Sequence, residues 1–262
     1  MIGFILKSMP LLVLFLAAVS FFEYRRLPDV SALRTTNPQI TSLMRLRAGQ
    51  FQEKGHPVVR RQIWVPYRTI SAHLKWAVIV NEDASFFQHG GIDLFELKEA
   101  LRDDLLEAGR FKRGASTITM QLARNLYLSP RKSIVRKIRE TLIALQMERV
   151  LSKHRIFEIY LNVVEWGSGI YGAEAASRHY FDKRVSTLTV SEAATLAALL
   201  PDPSSPDPSA LRARKDRILR RLRAQGHISP SEFNRAVHAP PLHRRDGLRG
   251  MSPSRPEERI AG

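Results

Sequence analysis

The sequence predicts a mainly α-helical protein that is preceded by one N-terminal transmembrane helix. Apolar residues recur at helical spacing along most of the chain between residues 71 and 238. Convincing runs of alternating apolar and polar residues, which would indicate strands, are nearly absent. Residues 2–22 form an apolar stretch, interrupted by Lys7 and Pro10, that is long enough to cross a bilayer once.

The composition points to a partner with negative charge. Forty-one Lys and Arg residues stand against 25 Asp and Glu residues, which gives a formal net charge of +16. Such a surface attracts nucleic acid, anionic lipid or phosphorylated substrates. The chain has no cysteine, which excludes a disulfide framework, a thiolate nucleophile and a Cys-ligated zinc site.

The two ends of the chain are predicted to flank one domain. Ala18-Val19-Ser20 resembles a signal-peptidase site, but the apolar run continues beyond it and favours an uncleaved anchor over residues 1–26. Positive charges on the two sides of this span are balanced, so they do not set its orientation. Residues 27–66 are interpreted as a juxtamembrane spacer with a helix over 42–51, residues 67–238 as the domain, and residues 239–262 as a disordered basic tail.

The stretch from Asn81 to Asp93 carries the densest group of ionisable side chains. These are Glu82, Asp83, His89 and Asp93. The preceding residues predict a helix capped by Ser71, and its register puts Glu82 beside Val78 on the apolar stripe, in the last turn. Desolvation and the negative helix end would both raise the pKa of Glu82, which suits a general base. A helix-end glutamate in a salt bridge is the alternative.

Two further helices follow this stretch. Four leucines at helical spacing predict an amphipathic helix with acidic residues outside: Leu94, Leu97, Leu101 and Leu105. Ser116 is then predicted to cap a helix that runs to about Leu128. Its apolar side carries Ile118, Leu122 and Leu126, and its polar face carries Thr117, Gln121 and Arg124. That polar face suits hydrogen bonding to a sugar or phosphate, with an ordinary solvated face as the alternative.

Residues 131–151 predict a long helix. Its buried side is predicted to carry Ile134, Ile138, Leu142 and Leu145, and Lys132, Arg136 and Glu140 lie along another side. The simplest interpretation of Arg136 and Glu140 is an exposed ion pair at i, i+4, which contributes only about 0.2–0.5 kcal/mol.

The last third of the chain is also predicted to be helical. A helix is expected over 155–164, and a buried helix over 188–200. A strongly basic helix is expected over 211–225, and a last helix after a cap at Ser229. Gly167–Gly172 matches the dinucleotide pattern G-x-G-x-x-G, but the required strand in a βαβ unit is not predicted. We therefore interpret this segment as a sharp turn or a close approach to another segment.

Four ordered motifs between about Trp64 and Pro203 together resemble the glycosyltransferase domain of bacterial peptidoglycan polymerases, in particular the monofunctional biosynthetic transglycosylases. The first, E-D-x-x-F-x-x-H-x-G-x-D, falls on Glu82, Asp83, Phe86, His89, Gly91 and Asp93. The second falls on Gly114–Asn125, where Met120 replaces a glutamine and Arg124 replaces a lysine. The third, R-K-x-x-E, falls on Arg136, Lys137 and Glu140, and continues into Tyr160–Asn162. The fourth runs from Gly167 to Phe181, and the remaining chain is too short for a transpeptidase domain.

The resemblance implies a lysozyme-like helical domain with a membrane-associated subdomain. It also implies a hexosyltransferase of the cell wall that polymerises lipid II into linear glycan strands, with inversion at the donor C1 and release of polyprenyl pyrophosphate. The implied partners are lipid II, the growing lipid-linked glycan, the cytoplasmic membrane and other proteins of cell-wall synthesis and cell shape, but not nucleic acid. The domain is expected on the outer side of the inner membrane, held by a single span.

The resemblance also assigns roles to residues. Glu82 and Glu140 are the catalytic candidates: Glu82 would deprotonate the acceptor 4-hydroxyl, and Glu140 would orient nearby cations or hold Mg or Mn. The substrate-binding candidates are Asp83, Phe86, His89, Ser116, Thr117, Gln121, Arg124, Lys132, Arg136 and Lys137. No tightly bound cofactor is expected. A metal site built from Glu82, Asp83, His89 and Asp93 is the less favoured alternative.

Two other classes of function remain open from the sequence. A muramidase-like lytic enzyme would also use one buried glutamate, but it would cleave glycan and would not need bases that bind pyrophosphate. A non-catalytic basic scaffold tethered to the membrane would need neither carboxylate. Incubation with lipid II distinguishes the three, because glycan lengthens, existing glycan shortens, or nothing changes.

Overall fold

The computed structural model describes residues 14, 21, 25–106, 116–129, 133–203 and 207–240. This part of the chain is mainly helical, which confirms the predicted class. Its α-helices are α1 (Ser42–Glu53), α2 (Ala72–Glu82), α3 (Leu94–Leu106), α4 (Ile118–Tyr127), α5 (Ile134–Val150), α6 (Lys153–Val163), α7 (Ala173–Phe181), α8 (Val190–Leu199), α9 (Pro208–Ala224) and α10 (Pro230–His238). Its strands are β1 (Arg61–Gln62), β2 (Glu165–Gly167) and β3 (Ile170–Tyr171).

The chain divides into two compact units, each formed by two separate segments. Unit 1 comprises the described part of Met1–Val58 together with Glu82–Val163, and unit 2 comprises Val59–Asn81 together with the described part of Val164–Gly262. The predicted anchor and the predicted basic tail fall almost entirely outside the described residues. Within the described ranges, the structure contains no helix with the length and apolar character needed to cross a bilayer.

Helix α4 is the centre of unit 1 and packs against α1, α5 and α6. Its predicted apolar side is confirmed, because Ile118, Leu122 and Leu126 are all buried. The predicted cap is wrong by one residue. Thr117 has the extended backbone of an N-cap, and its hydroxyl accepts a hydrogen bond from the Met120 N–H. Ser116 instead accepts a hydrogen bond from the Lys137 ammonium.

Helix α5 buries a different side from the one predicted. Ile134 is 77% exposed, and the residues that are buried are Glu140, Ile143, Ala144 and Met147. Apolar residues occur on several sides of this helix, so the periodicity does not select one face. The side that is buried is set by the packing of α5 against α4.

Helix α3 forms where the leucine spacing predicts it, but the start of its apolar face is not covered. Leu94 is 72% exposed, Phe95 is 70% exposed and Leu97 is also exposed. Lys98 and Arg102 are exposed on the same helix. The side chains of Leu101 and Leu105 lie outside the described part of the structure.

The segment before α1 is attached to the end of α5 and the start of α6. The Arg155 guanidinium donates to the carbonyls of Leu33 and Thr36 and to the side-chain oxygen of Asn37, at 2.8–3.1 Å. Arg34 Nε donates to the Val150 carbonyl at 2.9 Å. Val30 is fully buried. Residues 30–53 therefore form part of the fold of unit 1.

Unit 2 contains a small sheet that the sequence did not predict, because its strands are only two or three residues long. The strand order is β1-β3-β2, with β1 parallel and β2 antiparallel to β3. The glycine-rich segment is thus a β hairpin and not a dinucleotide loop. A Cβ at Gly169, where φ is +73°, would come within 2.3 Å of the Val59 carbonyl oxygen. This close approach confirms the predicted turn.

Helices α2, α8, α9 and α10 of unit 2 form close to where the sequence predicts them. Helix α2 begins at Ala72, directly after the predicted cap residue Ser71, whose carbonyl accepts a hydrogen bond from the Lys75 N–H. The Ser71 hydroxyl donates to the Leu188 carbonyl. Helices α8, α9 and α10 pack against one another. Ser229 caps α10 as predicted, by accepting a hydrogen bond from the Glu232 N–H.

Candidate active site

The candidate site lies in unit 1 and begins at Glu82, the last residue of α2. Its half-buried carboxylate accepts a hydrogen bond from Gln121 Nε2 at 2.9 Å. Gln121 Oε1 in turn accepts a hydrogen bond from the Tyr160 hydroxyl at 3.0 Å. Helices α4 and α6 therefore supply the groups that orient this carboxylate.

Tyr160 lies at the buried end of this chain of hydrogen bonds. Burial, and after it the negative charge of Glu82, raise the pKa of Tyr160 well above its ordinary value. The positive charge of Arg124 acts on the same pKa in the opposite direction. The Tyr160 hydroxyl therefore keeps its proton and remains a hydrogen-bond donor at physiological pH.

Asp83 and His89 fix the loop that follows Glu82. The buried Asp83 carboxylate accepts the N–H of Ile118 at 2.9 Å and lies 2.9 Å from His89 Nε2. His89 Nδ1 accepts the Gly91 N–H, so the ring proton sits on Nε2 and is donated to Asp83. Thr117 closes the arrangement by donating to the Gly91 carbonyl at 2.7 Å.

Asp93 ends this loop and starts α3. It accepts hydrogen bonds from the Ser85 hydroxyl and from the Glu96 N–H. Burial alone would raise the pKa of Asp93, but these hydrogen bonds outweigh it and lower the pKa below its usual value.

Three of the loop's ionisable groups are close enough to hold a cation. Ligand atoms of Asp83, His89 and Asp93 lie within 4.8 Å of one another. The carboxylates already accept hydrogen bonds from Ile118 and Ser85, and both ring nitrogens of His89 are engaged. A cation would have to replace some of these bonds, so the arrangement fits a hydrogen-bonded loop better than a metal centre.

Phe86 supports the loop from inside. Its ring is fully buried and lies 5.4 Å from the ring of Phe157. The Lys153 ammonium sits 4.4 Å from the centre of the Phe86 ring. The side chain of Phe86 thus contacts the protein core.

A second group of charges surrounds Glu140. This residue is 0% exposed, and its carboxylate lies 2.6 Å from Arg136 Nη1 and 3.3 Å from Lys137 Nζ. Lys137 also donates to Ser116 at 2.9 Å. The interpretation of Arg136 and Glu140 as an exposed surface pair is therefore wrong. A buried carboxylate needs such partners, because removal from water strongly disfavours an isolated charge.

The structure thus connects the predicted residues in separate groups. Glu82 and Gln121 form one group, the loop residues Asp83 and His89 are joined to the N-terminus of α4, and Ser116 is joined to the Glu140 cluster. Half-buried Arg124 contributes a positive charge near Tyr160. Lys132 lies outside the described residues.

Glu148 and Lys153 are site-supporting residues that the sequence reasoning missed. Glu148 accepts hydrogen bonds from the Thr119 hydroxyl and from the Lys153 ammonium. Gly91 also passes so close that a Cβ there would lie 3.0 Å from Glu148 Cγ. Glu148 and Lys153 lie five residues apart on different helices, which is not the i, i+3 or i, i+4 spacing of a helical charged pair, so only the fold reveals their contact with each other and with the loop. Tyr160 lies within the third motif, but its contact with Gln121 is evident only from the structure.

Similarity to known proteins identifies the family. The sequence profile described as transglycosylase matches residues 49–223. The chain belongs to the transglycosylase family. Among the relatives of this transglycosylase, a protein named biosynthetic peptidoglycan transglycosylase from Azoarcus sp. (strain BH72) is 48% identical over 197 residues, which cover 74% of this chain and 85% of the relative.

A second relative with the same name comes from Aromatoleum aromaticum. It is 52% identical over 167 residues, which cover 64% of this chain and 72% of the relative. Among solved structures, penicillin-binding protein 1A from Haemophilus influenzae matches 70% of this transglycosylase and 18% of its own chain, with 20% identity and a TM-score of 0.40.

Proposed function

We propose that this transglycosylase is a peptidoglycan glycosyltransferase that polymerises lipid II into linear glycan strands. Lipid II is a disaccharide-pentapeptide on a polyprenyl pyrophosphate. The reaction inverts the configuration at the donor C1 and releases the polyprenyl pyrophosphate. The names of its relatives support the reaction class. The observation that carries the proposal is the half-buried Glu82 carboxylate, held at 2.9 Å by Gln121.

In this proposal Glu82 is the general base. The acceptor 4-hydroxyl oxygen attacks the donor C1, the new C1–O bond forms, and the proton of that hydroxyl passes to Glu82. The bond between C1 and the pyrophosphate oxygen breaks, and the bonding electrons leave with the pyrophosphate. Gln121 holds one carboxylate oxygen, which limits the rotation of the base.

The leaving pyrophosphate needs neutralisation of its charge more than it needs a proton. We assign that role to Arg124, Arg136 and Lys137, with Lys132 as a further candidate. Glu140 orients Arg136 and Lys137 through its ion pairs. Because these two cations already balance the buried carboxylate, a divalent ion at Glu140 is not required for that purpose.

We also propose a lysozyme-like domain with a membrane-associated subdomain in unit 1. The support is a group of exposed large apolar side chains in this unit: Phe87, Leu94, Phe95, Leu97, Ile134 and Val135. Apolar side chains beside exposed bases such as Lys98 are typical of a segment that lies in a lipid interface. Residues 1–26 would anchor the domain of residues 67–238 to the outer side of the inner membrane, where it meets lipid-linked glycan.

The decisive experiment is incubation of the full-length protein with lipid II, followed by separation of the glycan products. We expect glycan chains to lengthen. Shortening of preformed glycan would favour a muramidase, and the absence of either change would favour a scaffold.

Glu82→Gln is the matched variant for this assay, since the amide keeps the shape and loses the base. We expect a loss of about 10²–10⁴ in rate with an unchanged melting temperature. Glu192→Gln serves as a control, because Glu192 caps α8 in unit 2 and takes no part in the proposed chemistry. Turnover of Glu82→Gln at the rate of the parent would remove Glu82 from the role of base.

A further inference from the structure

A fully buried tyrosine, Tyr160, contacts the residue that orients Glu82. The Tyr160 hydroxyl on α6 donates to Gln121 Oε1 at 3.0 Å, and Gln121 Nε2 on α4 donates to Glu82 Oε2 at 2.9 Å. Three separate helices thus contribute one residue each to a continuous row of hydrogen bonds. The third motif includes Tyr160, but neither the motif nor the role proposed for Glu82 says what the hydroxyl at this position does.

The chemistry of the glutamine amide explains why that hydroxyl matters. The two ends of an amide have nearly the same shape, so sterics alone do not decide which end faces Glu82. The NH₂ end attracts the ionised carboxylate, whereas the oxygen end would place two acceptors against each other. With the NH₂ end facing Glu82, Gln121 Oε1 points into the core and needs a donor. Tyr160 supplies that donor.

We propose that Tyr160 is a positioning residue, which acts through Gln121 to hold the Glu82 carboxylate in the orientation needed by a general base. The inference rests on the proposed function, in which Glu82 accepts the proton. A hydrogen bond to the amide oxygen polarises the amide and makes its NH₂ group a better donor, so the second bond strengthens the first. Tyr160 thereby favours the ionised form of Glu82 without touching the substrate.

The test compares Tyr160→Phe, Gln121→Ala and the double variant in the polymerisation of lipid II across a range of pH. We expect Tyr160→Phe to lower kcat about five- to tenfold, the value of one lost neutral hydrogen bond, with little change in KM. The acidic limb of its pH–rate profile should move to higher pH. In the Gln121→Ala background, the same tyrosine change should cost nothing further, since the two residues act as one unit.

Tyr180→Phe is the matched control for a merely structural effect. Tyr180 is also buried, and its hydroxyl donates to the Trp166 carbonyl in unit 2 at 3.0 Å. We expect both phenylalanine variants to lose thermal stability, but only Tyr160→Phe to change the pH–rate profile. Parent-like kinetics for Tyr160→Phe, or losses that add fully to those of Gln121→Ala, would overturn the positioning role.

A measurement without substrate separates this inference from the proposed function. In the ¹⁵N-labelled full-length protein, Tyr160→Phe should shift the side-chain amide signals of Gln121, and Tyr180→Phe should leave them in place. Unchanged Gln121 signals in Tyr160→Phe would overturn the relay. A parent protein that makes no glycan would contradict the proposed function. If the parent makes glycan and Tyr160→Phe makes it at the same rate, only the role of Tyr160 is contradicted.

Discussion

At the scale of single residues, the environment of Glu140 determines where the two cations proposed to neutralise the leaving pyrophosphate can lie. One fully buried carboxylate is paired with two cations, Arg136 and Lys137, and Lys137 reaches on to Ser116 beside the start of α4. The ion pairs fix two flexible side chains at one place. The group as a whole keeps an excess of one positive charge, which suits an anionic leaving group.

We expect Glu140→Gln to lower both activity and stability. The amide cannot balance Arg136 and Lys137, so we expect a loss of about 1.5–3 kcal/mol in the free energy of unfolding, the usual value for a hydrogen bond to a charged group. The misplaced cations should reduce turnover on the order of 10²-fold. Thermal unfolding and the lipid II assay measure the two effects.

Glu174→Gln is the control for this change. Glu174 is also buried and pairs with Arg178 four residues away at 2.7 Å, but it lies in unit 2. It should lose comparable stability and keep the activity of the folded parent. Equal activity of the two variants would return Glu140 to a purely structural role.

Arg124 tests whether the polar face of α4 binds the leaving group. Arg124→Lys should keep substantial activity, because the charge remains and one hydrogen bond replaces two. Arg124→Gln should lose on the order of 10²–10³ in activity, mainly in kcat, since the negative charge of the pyrophosphate grows as the bond to C1 breaks. Kinetics with lipid II provide the measurement.

The control for Arg124 is Arg220→Gln, which removes an exposed arginine from α9. Arg220→Gln removes one positive charge from the protein, as Arg124→Gln does, and it should leave kcat unchanged. If Arg124→Gln polymerised lipid II as fast as Arg220→Gln, this face of α4 would not bind the pyrophosphate.

At the scale of elements, α3 begins with exposed apolar side chains, at Leu94, Phe95 and Leu97. We expect these side chains to enter lipid. The chain has no native cysteine, so Phe95→Cys allows a fluorophore to be attached at one site. In proteoliposomes, brominated lipid should quench this label strongly, because bromine quenches only at close range.

Glu53→Cys provides the comparison, because Glu53 is an exposed polar residue at the end of α1 in the same unit. Its label should remain bright in brominated lipid. Equal quenching at the two positions would contradict the assignment of α3 to the lipid interface.

The elements also show where sequence patterns are sufficient and where packing decides. The apolar side of α4 follows from spacing, because its other side carries Gln121 and Arg124. The cap at Thr117 does not follow from the sequence, because Ser116 is an equally good capping residue and only the backbone conformation determines which of the two caps the helix. The buried side of α5 and the short strands of the sheet depend on contacts between distant segments, which no local period records.

The candidate site divides in the same way. Motif spacing points to Glu82, Gln121 and Glu140, whereas the i, i+4 spacing of Arg136 and Glu140 taken alone predicts an exposed pair. The full burial of Glu140 follows from the rotation of α5 against α4. The contact of Tyr160 with Gln121 joins residues 39 positions apart, so local sequence cannot reveal it.

At the scale of the whole molecule, the net charge of +16 and the apolar N-terminus both favour a protein that works at an anionic membrane. We expect the N-terminus to stay inside and the residues after Arg26 to lie outside the cytoplasmic membrane. Protease added to intact spheroplasts should therefore degrade the domain, while a cytoplasmic marker protein survives. A domain that is protected until the membrane is lysed would contradict the proposed location and function.

The attachment of residues 30–37 to Arg155 has a practical consequence for anyone who shortens the gene. A truncation that begins after α1 would remove buried Val30 and Met44. It would also remove the three acceptors of the Arg155 guanidinium that lie before α1 and leave it with Glu158. The same truncation would remove the packing of α1 against α4, the helix that carries Gln121. A soluble form that retains the native site should therefore start no later than Asp29, whose carboxylate accepts the Ser31 N–H at the first short helical turn.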